Sequence, residues 1–298
     1  MVMPRFSFKR WKSAIHQIAK PRHKKNRFAV HQKLVERVRN SQNGNRENIV
    51  IFDWDNKILP TCCLLEKNGL TYTIDDLTEA EQVIFQQIDY QALSVLRSSS
   101  VFGKVAIVTN ASFHWLERTA NAFLPKVARF IFDPENKCPI ISARDNYCRQ
   151  FPEDPGMWKR PVFDSLMDDM KLNGSDSDSD SESVDRQVQI ICVGDSDGEH
   201  EAAVYALRGE KNPLVKNVKF RSDTSATLIR KQLVSLESQL CGIICFPSSA
   251  EIHYLDFVGF TKKSVNEREL DQKILRVSME AVITYRSMDS QSIRISCK

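Results

Sequence analysis

The sequence has no apolar run that approaches the roughly 18 residues a membrane-spanning helix needs. It also has no apolar core of a secretory signal near its first residues. Its eight cysteines lack the spacing of a disulfide framework or a zinc knuckle, since Cys62 and Cys63 are adjacent and the Cys241–Cys245 spacing is wrong for zinc. We therefore expect an intracellular protein with reduced thiols, and a cytoplasmic location is the simplest one.

The length and composition are those of an ordinary globular protein with additions at its ends. The chain has 298 residues, of which 42% are hydrophobic. That length accommodates one α/β domain of about 200 residues plus appendages. We expect a domain at 46–260, preceded by a basic arm at 1–45 and followed by a tail at 261–298 with helical apolar spacing between Leu270 and Ala281.

Positive charge is concentrated at the start of the chain. Residues 1–40 contain twelve Lys and Arg against one acid, a net of +11, so the remainder carries about −7 of the total +4. Phe8, Trp11, Ile15 and Ile18 recur there at helical spacing. The arm is either a passive extension, a nuclear or organelle address, or a helix that contacts anionic lipid or nucleic acid.

A second change of composition lies at 173–185, where serine alternates with aspartate and glutamate. Such a segment has almost no apolar content and cannot pack, so we expect a disordered surface loop. Serines followed by acids are typical of sites for acidophilic kinases, and a plain spacer is the simpler alternative.

The central part of the chain alternates between strand and helix. Apolar, β-branched runs predict strands, and apolar residues spaced as on a helix face follow most of them. This alternation predicts an α/β fold with a mainly parallel sheet and helices on both faces. The predicted strands are 48–52, 104–108, 139–142, 187–193 and 217–220, and the predicted helices are 113–130, one that begins near 199, and 225–240.

Two aspartates follow the first strand, in the run Asp53-Trp54-Asp55. Open α/β sheets bind ligands at the carboxyl ends of their strands. There Asp53 is a candidate nucleophile and Mg²⁺ ligand, and Asp55 is a candidate general acid and second carboxylate ligand. A plain acidic turn after a strand is the alternative.

Later strand and loop ends supply the remaining candidates. Thr109 and Asn110 can bind phosphate oxygens or simply cap a helix. Lys159 can neutralise a transferring phosphoryl group or be an ordinary solvated lysine. Asp195 can complete a Mg²⁺ site with Asp53, supported by Glu199 one helical turn later, or belong to an acidic turn.

Together these motifs resemble the haloacid dehalogenase-like (HAD-like) hydrolase superfamily, and within it a near-capless eukaryotic subgroup of protists and algae. The resemblance covers roughly residues 48–258. It implies a Rossmann-like three-layer αβα sandwich with a five-stranded sheet and a minimal cap, Mg²⁺, and phosphoryl transfer through an aspartyl-phosphate. An open site of this kind favours a phosphorylated, macromolecular substrate. The segments that carry the resemblance are 52–55, 107–111 with Trp115, 141–144 with Tyr147, 158–159 with Phe163, 194–196 with Glu199, and 218–220 with the helix ending at 231–233.

One position departs from the superfamily pattern. The resemblance implies a small residue two positions after Asp55, and this chain has Lys57. Its ammonium can pair with Asp55 or Asp53 and compete with Mg²⁺, or it can point outward. The alternative to an active hydrolase is therefore a catalytically impaired HAD-like scaffold that acts as a binding protein.

Overall fold

The structure is a computed structural model that describes residues 46–65, 73–173, 187–222, 225–246, 248–253 and 293–296. Within these residues seven strands form one sheet in which every neighbouring pair is parallel. The strands are β1 (Arg46–Phe52), β2 (Lys104–Thr109), β3 (Ile140–Ser142), β4 (Gln187–Gly194), β5 (Leu214–Lys219), β6 (Ala250–His253) and β7 (Ile293–Ser296).

The strand order creates a crevice at one place in the sheet. The order is β3-β2-β1-β4-β5-β6-β7, so the chain builds outward from β1 in one direction and then from β4 in the other. In an open α/β sheet the ligand binds outside the carboxyl ends of the two strands where the order reverses. The ends of β1 and β4 are those strands here.

Eight helices cover the two faces of this sheet in the described part of the chain. They are α1 (Thr61–Leu65), α2 (Glu79–Phe102), α3 (Phe113–Phe123), α4 (Pro125–Ile131), α5 (Ala143–Tyr147), α6 (Lys159–Asn173), α7 (Asp197–Ala206) and α8 (Ala226–Cys245). Alternate residues of β1 separate the two apolar cores: Val50 and Phe52 pack with α2, α3, α4 and α8, while Ile49 and Ile51 pack with α6 and α7. The architecture is a three-layer αβα sandwich.

Both ends of helix α2 are defined by local features of the sequence. Thr78 caps its start by accepting a hydrogen bond from the Glu81 N–H. At its other end, a Cβ on Gly103 would lie 2.2 Å from the Asn48 carbonyl oxygen. Only glycine allows the chain to turn from α2 into β2 this close to β1.

The α/β fold and its parallel sheet were predicted correctly, and the details need two corrections. The sheet has seven strands rather than five, because β6 and β7 are four-residue segments too short for a clear pattern. The expected single helix at 113–130 is two helices, because Pro125 has no N–H to continue α3 and instead begins α4.

Several predicted segments lie outside the described residues. They are the basic arm, residues 174–185 of the acidic segment predicted at 173–185, and the tail segment with helical spacing. Asn173 is the last residue of α6, and at the end of the tail 293–296 form β7. No disulfide joins any cysteine in the part of the chain that the structure describes. None of the helices described combines the length and apolar character needed to cross a membrane.

Lys216 in β5 leads to a prediction about stability. Its side chain is fully buried, and its ammonium donates to the Phe246 carbonyl oxygen at 2.9 Å. Burial, assisted by the nearby Arg46 guanidinium, lowers the pKa of Lys216 from 10.5 to about 7. Below pH 7 this lysine is charged in both states, so the folded chain bears the full penalty of a buried charge.

We expect Lys216→Met to raise the free energy of unfolding by roughly 2–4 kcal/mol below pH 7. Between pH 7 and about 10.5 the unfolded wild type still binds a proton that the folded protein has released. The wild type therefore gains stability as pH rises, and the advantage of the variant shrinks. Urea unfolding at about pH 6 and about pH 9 measures this, and an equal advantage at both values would contradict it.

Candidate functional site

The predicted site residues meet at the crevice between β1 and β4. Asp53 follows β1 directly, and its N–H donates to the Val193 carbonyl oxygen of β4 at 3.0 Å. Thr109 is the last residue of β2, and Asp195 follows β4. The expected convergence of these three strand ends is therefore present in the structure.

The two oxygens of Asp53 have different surroundings. Its Oδ1 accepts a hydrogen bond from the Trp54 N–H at 2.8 Å and lies 3.4 Å from the Lys159 Nζ. Its Oδ2 has no hydrogen bond or ion pair with the described residues, and the side chain is 14% exposed. Burial raises the pKa of Asp53; the Lys159 ammonium opposes this and the Glu199 carboxylate adds to it. The carboxylate is thus fixed through one oxygen, and the other is available for chemistry.

Lys159, at the start of α6, joins Asp53 to Glu199. Its Nζ lies 2.5 Å from Glu199 Oε1, and both side chains are buried. Burial alone would lower the pKa of Lys159, but the carboxylates of Asp53 and Glu199 outweigh it and raise that pKa above its ordinary value. Lys159 therefore stays charged and fixes the position of both carboxylates.

Glu199 is held on its other side as well. The Ser196 hydroxyl donates to Glu199 Oε2, so each oxygen of this carboxylate has a partner. Burial acts to raise the pKa of Glu199, and Lys159 with Ser196 lowers it below its usual value. A Cβ on Gly194 would lie 2.8 Å from Glu199 Cδ, so a side chain at this position would displace Glu199 from the end of β4.

Asp55 is oriented by three donors from other elements. Its Oδ1 accepts hydrogen bonds from the Thr61 hydroxyl at 2.5 Å and from the Trp115 indole at 3.1 Å. The Thr109 hydroxyl lies 3.4 Å from its Oδ2 and accepts from the Ala111 N–H at 3.0 Å. Thr109 thus contacts Asp55 directly, and its role toward phosphate stays a prediction.

Asn110 presents an acceptor rather than a donor. Its Nδ2 donates to the Pro155 carbonyl oxygen at 3.2 Å, which fixes the orientation of the amide. Its buried Oδ1 has no partner in the described part of the chain. A phosphate oxygen is itself an acceptor, so this oxygen suits a hydroxyl or a water better than phosphate. Phosphate binding by Asn110 stays a prediction.

Lys57 points into the site rather than outward. Its side chain is 1% exposed, and its Nζ lies 2.9 Å from Asp195 Oδ2 and 3.3 Å from the Asp55 carbonyl oxygen. A tight turn directs it there: Asn56 takes a left-handed φ of 57° and its N–H donates to the Leu59 carbonyl oxygen at 2.7 Å. The expected partners were the Asp53 and Asp55 carboxylates, and the partner found is Asp195.

The acidic residues have the chemistry of a site for a divalent cation. Oxygens of Asp53, Asp195 and Glu199 lie within 4.8 Å of one another. Carboxylate oxygens are the ligands that Mg²⁺ prefers. Lys57 and Lys159 offset two of the three negative charges of this group, so the group keeps a net negative charge that favours a cation. The residues therefore fit Mg²⁺, although the Asp55 carboxylate faces its three donors and is not part of this group.

Sequence reasoning assigned no role to three residues that shape the site, although Trp115 and Ser196 lie in segments that carry the resemblance. Thr61 and Trp115 orient Asp55, and Ser196 orients Glu199. Hydroxyl and indole donors are common, and nothing in their spacing marks them as neighbours of a carboxylate. Only the fold brings α1, α3 and the β4–α7 loop to the same edge of the sheet.

Comparison with known proteins assigns no family to the chain. No family model, no curated protein and no solved structure matches it. The functional argument therefore depends on the residues of the site.

Proposed function

We propose that this protein is a HAD-like, Mg²⁺-dependent phosphohydrolase that hydrolyses a phosphate monoester through an aspartyl-phosphate on Asp53. One observation carries the proposal: at the crevice between β1 and β4, Asp53 Oδ1 is fixed by Trp54 and Lys159 while Oδ2 has no partner among the described residues. A fixed carboxylate with one available oxygen is the arrangement that nucleophilic attack on phosphorus needs.

The first step transfers the phosphoryl group to the protein. Asp53 Oδ2 forms a bond to phosphorus, the ester P–O bond breaks, and protonated Asp55 gives its proton to the leaving oxygen. Lys159 contributes positive charge next to the attacked phosphoryl group. Thr61, Trp115 and Thr109 keep the Asp55 carboxyl group in one orientation for this transfer.

The second step returns Asp53 to its starting state. Asp55, now a carboxylate, accepts a proton from water, the water oxygen bonds to phosphorus, and the bond to Asp53 breaks. Asp53, Asp195 and Glu199 are the residues that would hold Mg²⁺, Glu199 in a supporting role. When bound, the ion would neutralise charge on the phosphoryl oxygens.

The proposal includes a phosphorylated substrate of macromolecular size. Between β1 and α2 the structure describes 53–65 and 73–78, which supply the short helix α1 and a single 3₁₀ turn at Ile74–Asp76. Elements this small give few specificity contacts to a small molecule. A large substrate brings its own contact surface.

A second candidate function is a HAD-like scaffold with impaired catalysis that acts as a binding protein. The observation that favours it is the Lys57–Asp195 ion pair, which places an ammonium against a carboxylate that would bind the metal ion. Hydrolysis of an aryl phosphate in the presence of Mg²⁺, compared with Asp53→Asn, separates the two functions. Hydrolysis that is lost in the variant supports the phosphohydrolase, and no hydrolysis by the wild type supports the scaffold.

The basic arm is a separate part of the proposal. Its net charge of +11 over 1–40 and its apolar stripe suit a surface of anionic lipid or nucleic acid, either of which supplies counter-charge. We expect full-length protein to bind anionic vesicles or nucleic acid with an affinity that falls as salt rises, and protein beginning near Asn45 to bind neither. Equal binding by both proteins in a co-sedimentation assay would contradict this role.

A further inference from the structure

The ammonium of Lys57 lies among oxygens of the kind that bind metal ions. It contacts a carboxylate oxygen of Asp195 at 2.9 Å and the main-chain carbonyl oxygen of Asp55 at 3.3 Å. Carboxylates and main-chain carbonyls are typical ligands of hard divalent cations. Asp195 is at the same time a member of the acidic group that would hold the metal.

The position of Lys57 is built into the fold and is not a chance surface contact. The side chain is 1% exposed, whereas its partner Asp195 is 27% exposed. The turn from Trp54 to Leu59 is closed by hydrogen bonds from the Lys57, Ile58 and Leu59 N–H groups to the Trp54 carbonyl oxygen. An unpaired buried charge is strongly unfavourable, and Asp195 supplies the Lys57 ammonium with an opposite charge.

A divalent ion and this ammonium require the same carboxylate, that of Asp195. Asp195 Oδ2 is occupied by Lys57 at 2.9 Å. An ion at Asp53 and Asp195 would therefore lie next to a second positive charge in a partly buried site, where repulsion is poorly screened. Lys57 must move away from Asp195, or the ion binds weakly.

We propose that Lys57 is a tethered cation that competes with the divalent metal ion for Asp195 and so sets how much metal the site holds. This inference rests on the proposed function for the metal-binding role of Asp53 and Asp195. It adds a regulatory role for one residue: Mg²⁺ binds weakly to the resting protein because the site already contains a positive charge on the chain. Removing that charge leaves the carboxylates intact and strengthens binding.

The test is a titration of Mg²⁺, and separately Mn²⁺, into the substrate-free protein, followed by calorimetry. Lys57→Gln is the informative variant, because it keeps a donor for the Asp55 carbonyl oxygen and removes the charge. We expect it to bind either ion at least about tenfold more tightly than the wild type does. Lys126→Gln is the matched control, because it removes a lysine from the Lys126–Asp89 pair of the α2–α4 contact, and we expect no change in metal affinity.

A second measurement, thermal unfolding, keeps the test informative if a Lys57 variant is less stable than the wild type. Mg²⁺ should raise the Tm of Lys57→Gln and of Lys57→Met by more than it raises the Tm of the wild type. In the variants the ion binds without competition from the Lys57 ammonium and supplies the positive charge that the substitution removed. Metal affinity that is unchanged or weaker in the Lys57 variants would overturn the proposal, as would the absence of metal binding to all of the proteins. Because no substrate is present, a failure to hydrolyse phosphate esters leaves this result unaffected.

Discussion

Asp53→Asn should lower kcat for aryl phosphate hydrolysis by at least about 10³-fold, the size of effect expected when a covalent nucleophile is removed. Asparagine has nearly the same shape as aspartate, and its amide oxygen can still accept the Trp54 N–H that holds Oδ1 in place. What the variant loses is the anionic oxygen that attacks phosphorus. The measurement is steady-state hydrolysis in the presence of Mg²⁺.

The loss of activity should not come from loss of folding. Burial raises the pKa of Asp53, so the folded protein disfavours the charge at this position and a neutral amide is tolerated. Asp197→Asn is a matched control: it removes a carboxylate close to the site that is 76% exposed and pairs with Lys219. We expect the control to keep most of its activity, and equal turnover by wild type and Asp53→Asn would rule out Asp53 as the nucleophile.

The second large effect concerns the stability of the Lys159–Glu199 pair. Lys159→Met should lower the free energy of unfolding by about 3–5 kcal/mol, because it leaves Glu199 and Asp53 charged and without their buried cation. Glu199→Gln should be destabilising as well, since Lys159 then keeps only the longer contact to Asp53. The double variant should recover part of the loss, because it removes both unpaired charges together.

A double-mutant cycle in urea measures that recovery. We expect a coupling energy of at least about 1.5 kcal/mol for Lys159 with Glu199, since the pair is buried and closely hydrogen-bonded. The exposed pair Arg208–Asp164, with side chains 55% and 29% accessible, is the matched control, and its coupling should be clearly smaller than that of the buried pair. Additive effects of Lys159→Met and Glu199→Gln would show that the two residues do not act as a pair.

The sequence predicted the fold well because the sheet depends on local patterns. Buried strands such as β1 and β4 are continuous apolar runs, and parallel strands put their carboxyl ends at one edge. Asp53 and Asp195 could therefore be expected to meet. The break between α3 and α4 could also have been predicted, since Pro125 typically begins a helix.

The orientation of the site could not be predicted in the same way. The partner of Lys57 depends on a left-handed residue at Asn56 and on which side of the turn faces β4. Two of the three donors to Asp55, Thr109 of β2 and Trp115 of α3, lie 54 and 60 residues from it in the sequence. Contacts of this kind depend on distances of a few ångströms, and a hydrophobic pattern does not carry that information.

The central claim is that phosphate becomes covalently attached to Asp53. The direct measurement is to mix the protein with a ³²P-labelled acyl or aryl phosphate and Mg²⁺, quench in acid within a single turnover, and locate the label by peptide mapping. We expect a hydroxylamine-labile label on the peptide that contains Asp53, and none in Asp53→Asn. Hydrolysis by the wild type with no labelled protein, or with the label on another residue, would contradict the account.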